Sequence, residues 1–272
     1  MKLIDFDEMF DEKLSQFMEE NAEKYSERQW EEIIPKLYKK FGDTYVAKVK
    51  CTPKEYYEKM TDEELAQTLK AHLEQGVPVP EFLCTEMERR DCTSLLLPLL
   101  DSNDESTVSY ALHLIADDER AYDKYFTILL EDRVSKDVQD EVTEVFKFAA
   151  DAVKERALSY YKEGKAKEYM LEILSRVKEK EDEIFKILLE EFRSNEENLP
   201  LHASYLAAYG DERALPFLYN RIQDESIGFV VFQELKYAIE ALGGEYNESR
   251  DFSGDKDYVA VEDARVRSEE VS

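Results

Sequence analysis

The chain is poor in the residues that interrupt or cross-link a backbone. Its 272 residues include 8 glycines, 7 prolines and 3 cysteines. So few turn formers exclude a loop-rich β architecture. Cys51, Cys84 and Cys92 form neither a close metal-type pair nor an even disulfide set, so reduced, buried or half-buried thiols are expected. The three histidines, His72, His113 and His202, fall in separate predicted helices, which leaves no base beside a nucleophile. A glycine-rich phosphate loop, an HExxH motif and an EF-hand loop are all missing. No apolar run approaches the roughly 18 residues that suggest a membrane span. The opening MKLIDFDEMF lacks the basic-then-apolar order of a signal peptide. A cytoplasmic location without a membrane partner is the expectation.

Positive charge is also short. Lysine and arginine number 36 against 63 acidic residues, a formal net charge of −27. A field of that sign repels phosphate backbones, so no nucleic-acid partner is expected, and it speeds encounter with a basic one. Lysines are locally dense at 36, 39, 40, 48, 50, 54 and 59, but Glu55 and Glu58 among them indicate a mixed solvated face. Carboxylates are so abundant that no pair stands out as acid and base, and no cofactor or metal is called for.

What remains is helix-forming sequence. Phe6, Met9, Phe10, Leu14, Phe17 and Met18 recur at steps of three and four, the stripe of an amphipathic helix facing a core. Ser26 with Gln29, Thr52 with Glu55 and Thr61 with Glu64 read as capping boxes. The first opens a helix carrying Trp30 on its apolar side; Pro35 is predicted to kink or split it, and Gly42 to close it as a left-handed cap. Residues 43–50 fit a short strand or a loop. Val77-Pro78-Val79-Pro80 is a stiff connector and the best candidate for a seam. Residues 135–194 carry the stripes of successive long helices. The last residues, from 247 on, are polar and predicted to be extended, as a frayed end or a segment folded back on the rest.

One pattern occurs twice. Residues 205–244 hold an apolar helix end, then Gly210-Asp211-Glu212-Arg213-Ala214-Leu215-Pro216, a helix closed near Asp224, and another helix. Residues 111–132 repeat the apolar helix followed by Asp117-Asp118-Glu119-Arg120-Ala121. Leu96 to Asp101 match the proline-containing inner part. Pro216 is predicted to bend the helix that follows it. These residues resemble the HEAT repeat family and, more loosely, the short HEAT-like repeats of the bilin-lyase type. The resemblance covers residues 93–132 and 188–244; the first 80 residues match only in being helical. It implies a right-handed α-α superhelix of stacked helix pairs. It also implies that Asp118 with Arg120, and Asp211 with Arg213, tie neighbouring repeats together.

The resulting expectation is an all-α solenoid of HEAT-like pairs. An N-terminal helical cap would span 1–76, the repeat array 81–244 and a polar tail 245–272. Its function would be noncatalytic binding of a protein or peptide, of basic character, along the concave groove. Tyr110, His113, Gln233 and Tyr237, non-core positions on the second helix of their pairs, are the contact candidates. The alternative is a HEAT-like enzyme or enzyme accessory of the lyase type, although no residue marks a tetrapyrrole site. A DNA glycosylase on such a solenoid would need a basic face, which this charge excludes.

Overall fold

The structure, a computed structural model, describes residues 3–131 and 133–270, with side chains as far as 265. Asp132, the last residue of the shorter repeat echo, and the final two residues of the tail lie outside them. Among the described residues every regular element is helical, so the protein is all-α as its composition requires. The stretch 43–50 is turns, with one antiparallel bridge between Val46 and Cys51 and no strand.

Contacts group the chain into two compact units, Met1–Val142 and Thr143–Ser272. The first holds α1 (Phe6–Asn21), α2 (Glu27–Phe41), α3 (Pro53–Glu58), α4 (Asp62–Gln75), α5 (Glu81–Arg89) and α6 (Thr93–Leu96). A 3-10 turn (Leu97–Asp101), α7 (Glu105–Ile115), a second 3-10 turn (Glu119–Ala121) and α8 (Tyr122–Leu130) follow. Helix α9 (Lys136–Phe148) contains the division. The second unit holds α10 (Ala150–Lys162), α11 (Lys167–Leu174), α12 (Asp182–Ser194) and α13 (Leu199–Tyr209). Another 3-10 turn (Glu212–Ala214) leads into α14 (Leu215–Ile222), α15 (Phe229–Ala241) and α16 (Lys256–Glu270).

Local chemistry sets most helix ends. Thr61 Oγ1 accepts from Glu64 N at 3.2 Å while Glu64 Oε2 accepts from Thr61 N at 2.8 Å, and Thr52 with Glu55 repeats the exchange. Gly76 closes α4 at φ 62°, where a side chain would be strained. Gly42 differs from expectation: it keeps a right-handed helical φ of −53°. Its constraint is closeness, since an added Cβ would lie 2.6 Å from the Phe82 ring. Pro35 does not split α2, which runs unbroken from Glu27 to Phe41. Pro216 sits in the first turn of α14, where the missing N–H costs no hydrogen bond, so it starts that helix and does not bend its interior. Trp30 is half-buried, edge-on to Phe17 and Tyr25, and the fully buried centre of this region is Phe6, Phe10 and Phe41.

The tail is not extended either. Tyr246 and Phe252 are buried against Phe232 of α15, and Asp255 accepts from the Phe229 N–H at 2.9 Å, filling the open N-terminus of α15. Residues Lys256–Glu270 then form α16.

In the second unit α10 packs on α11, α12 on α13 and α14 on α15, while α11 also meets α13 and α13 meets α15. In the first unit α3 packs on α5 and α5 on α7, with α4 against both α5 and α7. Two kinds of side chain reach back along the chain. Asp118 caps its 3-10 turn by accepting from Arg120 N at 3.0 Å, and the Arg120 guanidinium grips Asp118 and also Asp91, 29 residues upstream. Asp211 and Arg213 repeat this, with Asp182 31 residues upstream. Separately, Arg90 donates to the carbonyls of Glu58 and Met60, Arg133 to those of Leu100 and Ser102, and Arg250 to those of Ile222 and Asp224. Each of these carbonyl pairs lies at the end of a short helix or turn that has proline at its first or second position. A guanidinium there satisfies otherwise orphaned acceptors and opposes the helix dipole.

Hydrogen bonds from Arg120 and Arg213 hold the Asp118 and Asp211 carboxyls below the usual carboxylate range. A depressed folded value stabilises the fold fully above the unfolded value of about 3.9, and that contribution fades as the pH drops towards the folded value. Asp118→Ala and Asp211→Ala are each expected to lower unfolding stability by about 1 kcal/mol, the worth of a lost cap. Urea titration at neutral pH measures this loss, and the gap from wild type should narrow as the pH is taken below about 4.

Candidate functional site

Three helices of the first unit turn same-side residues toward one hollow. In α1 the N-cap Asp5, accepting from Glu8 N at 2.8 Å, sets the first turn. Asp7 and Asp11, four residues apart, then share a face beside buried Phe10. In α5 the series Glu81, Cys84, Thr85 and Glu88 follows the helical spacing on one face, while Phe82, Leu83 and Met87 are buried on the other. In α7 Tyr110 and His113 stand one turn apart, opposite the buried Val108, Ala111, Leu112 and Ile115. With Tyr38 from α2 and Val79 from the connector, these side chains line a cavity of about 620 Å³. That lies within the range of ~300–1,000 Å³ usual for ligand clefts.

The cavity is anionic. It is lined by the carboxylates of Asp7, Asp11, Glu81 and Glu88 and by no lysine or arginine. Among the described residues none of the four has a lysine or arginine partner, whereas several acids of the same unit do, among them Asp43 with Lys54, Asp62 and Glu86 with Arg90, Asp91 with Arg120, and Asp101 with Lys124. Burial, joined by repulsion from Asp5 and Asp11, raises the Asp7 carboxyl above its ordinary value, although the Tyr38 hydroxyl, which donates to its Oδ1 at 2.6 Å, and the charge of His72 act the other way. Burial, and then the charges of Glu88, Glu81 and Asp7, push the Cys84 thiol up to about 11. A thiol held protonated at neutral pH is a poor nucleophile. The arrangement suits holding a cation, with aromatic and hydroxyl groups around it, better than bond making. Among the described residues no group of three or more His, Cys, Asp and Glu is placed to hold a metal ion.

The contact candidates from the sequence divide between the units. Tyr110 and His113 line this cavity. Tyr237, strongly exposed, lines a smaller hollow of about 230 Å³ in the second unit with Leu201, Ser204 and Tyr205 of α13, while exposed Gln233 lies outside that hollow. The corner residues Asp118, Arg120, Asp211 and Arg213 lie outside both, engaged in the links described above. His72 is packed in the core with neither ring nitrogen bonded, and His202 is buried with Nε2 3.2 Å from Glu168. Cys51 and Cys92 are buried and Cys84 half-buried, all as free thiols.

Sequence reasoning missed the four cavity carboxylates, which are lost among 63 acidic residues. A signal was present: none of Asp7, Asp11, Glu81 and Glu88 has a lysine or arginine three or four residues away in either direction.

Because Asp7 is more readily protonated in the folded chain, its ionisation opposes folding as the pH rises through its folded value. Asp7→Asn, which keeps an acceptor for Tyr38, is expected to raise the melting temperature at neutral pH. That gain should disappear below about pH 3, where the native carboxyl is protonated in both states. Scanning calorimetry at the two pH values checks it. Comparison of the chain with protein-family models, curated proteins and solved structures gives no match.

Proposed function

We propose that the protein is a noncatalytic binding scaffold whose acidic cavity receives a lysine or arginine side chain of a basic protein segment. The observation that carries this reading is the convergence on one cavity of Asp7, Asp11, Glu81 and Glu88, none with a lysine or arginine partner among the described residues. Carboxylates that repel one another and are left without counter-ions store an attraction for an incoming cation. The formal charge of −27 adds long-range steering of the same sign.

The architecture that we propose for this scaffold is a solenoid of HEAT-like helix pairs. Support comes from the contacts between every second helix, from the Asp-Glu-Arg corners that reach 29 and 31 residues upstream, and from the arginines clamped on preceding helix ends. Repeats of that kind display side chains from their second helices, where Tyr110 and His113 stand. A cytoplasmic setting, with protein and not nucleic acid as the partner, belongs to the same reading. No described helix is long and apolar enough to cross a membrane.

Isothermal titration with a lysine-rich peptide and its glutamate counterpart tests the reading. The lysine peptide should bind, the glutamate peptide should not, and raising salt from about 50 mM to about 500 mM should weaken binding. The exposed double substitution Asp11→Asn with Glu88→Gln should cost about tenfold in affinity while leaving the melting temperature near wild type. Equal binding of the two peptides would sink the proposal.

A further inference from the structure

We propose that the acidic cavity and a neighbouring apolar groove form one docking surface, occupied by a peptide segment that carries a large apolar side chain close to a lysine or arginine. This rests on the cation-binding reading above and adds a second half to the site. The groove has a volume of about 720 Å³ and is walled by Ile34, Pro35 and Phe82; Phe10, Tyr38 and Glu81 line both hollows.

Tyr38 is the ridge between them. Its ring stacks on Phe82 with centroids 4.7 Å apart and planes 4° from parallel, and meets Phe10 edge-on at 4.9 Å. Its hydroxyl is fixed by Asp7, which lines the cavity and not the groove. Such a ridge is ordered before any ligand arrives, so binding loses little side-chain freedom there. One side of the surface therefore offers aromatic and aliphatic walls and the other offers carboxylates.

Charge orients the occupant and selects its class. The groove is lined by Lys39, Lys54 and Arg89 against Glu58, Glu81 and Glu86, with Lys54 paired to Asp43 and Arg89 to Glu86, whereas the cavity holds four carboxylates and no lysine or arginine. A basic side chain is therefore drawn to the cavity more strongly than to the charge-balanced groove. A fatty acid or a lipid phosphate would bring its anionic head against the cavity carboxylates. A peptide supplies an apolar side chain and a cationic one a few residues apart, which matches the two hollows.

Labelled peptides of glycine and serine, holding one phenylalanine and two lysines at separations of about one to four residues, test this by fluorescence anisotropy on the full chain. The best-spaced peptide should bind about tenfold more tightly than its Phe→Ser version, the gain from one well-made apolar contact. Ile34→Ser should remove that gain without changing the affinity of the Phe→Ser peptide. Thr85→Arg, at an exposed position shared by both hollows, should weaken both peptides with the fold kept, as circular dichroism reports. If the Phe→Ser peptide binds as well as the parent and Ile34→Ser changes nothing, the groove has no part and the inference fails, with cation binding intact. If a Lys→Glu version binds as tightly as the parent, the underlying cation reading fails instead.

Discussion

Everything in this protein depends on short helices whose ends must be satisfied by residues from elsewhere in the chain. Outside the first two, the helices run from 4 to 15 residues, too short to be stable alone in water. Each leaves carbonyls open at its C-terminus. The chain answers with guanidiniums: Arg90, Arg133 and Arg250 each hold two carbonyls at the end of an earlier element with proline at its first or second position. The Asp-Glu-Arg corners work over the same reach. These links are local within each unit, and they fix the angles at which helix faces are shown to solvent.

That scaffolding explains why the distribution of charge is informative here when the amount of charge is not. An excess of acid spread over a surface is ordinary, and the ion pairs that part of it forms with lysine or arginine are mostly exposed and worth little. The cavity between α1, α5 and α7 is different because the helices that form it bring acids together with no lysine or arginine among its lining. The cost appears in Asp7, whose carboxyl is raised by burial and by its acidic neighbours. The binding role proposed for the cavity rests on this gathering of carboxylates.

How much of this was legible in the sequence varied with the range of the interaction. Short-range chemistry read well: the capping boxes at Thr52 and Thr61 and the all-helical class follow from neighbouring residues. The helix stripes of residues 135–194 read well too, since Val138, Val142, Phe146, Met170, Leu174, Ile184 and Phe192 are all buried. Failures came where a distant partner decides. Gly42 faces Phe82, forty residues on by number, and its closeness outweighs the cap role. The polar tail is organised by Tyr246, Phe252 and Asp255 meeting α15, contacts that composition does not reveal. The lining of the candidate cavity could be read from the sequence only in part. Tyr110 and His113 followed from their non-core places on α7, but the carboxylates opposite them depend on how α1 and α5 approach it.

Carbon-13 titration of the side-chain carboxyls, with and without a lysine-rich peptide, tests the central claim most directly, because it watches the cavity acids themselves. Asp7 is expected to titrate above the ordinary aspartate range in the free protein. Asp7 is also expected to move to a lower value when the peptide is bound, since a nearby cation favours the charged carboxylate, and the carboxyl signals of Asp11, Glu81 and Glu88 are expected to shift on binding. Acids already paired, such as Asp118 and Asp211, should hardly respond. An Asp7 that titrates normally, with cavity acids no more sensitive to the peptide than the paired ones, would contradict that claim.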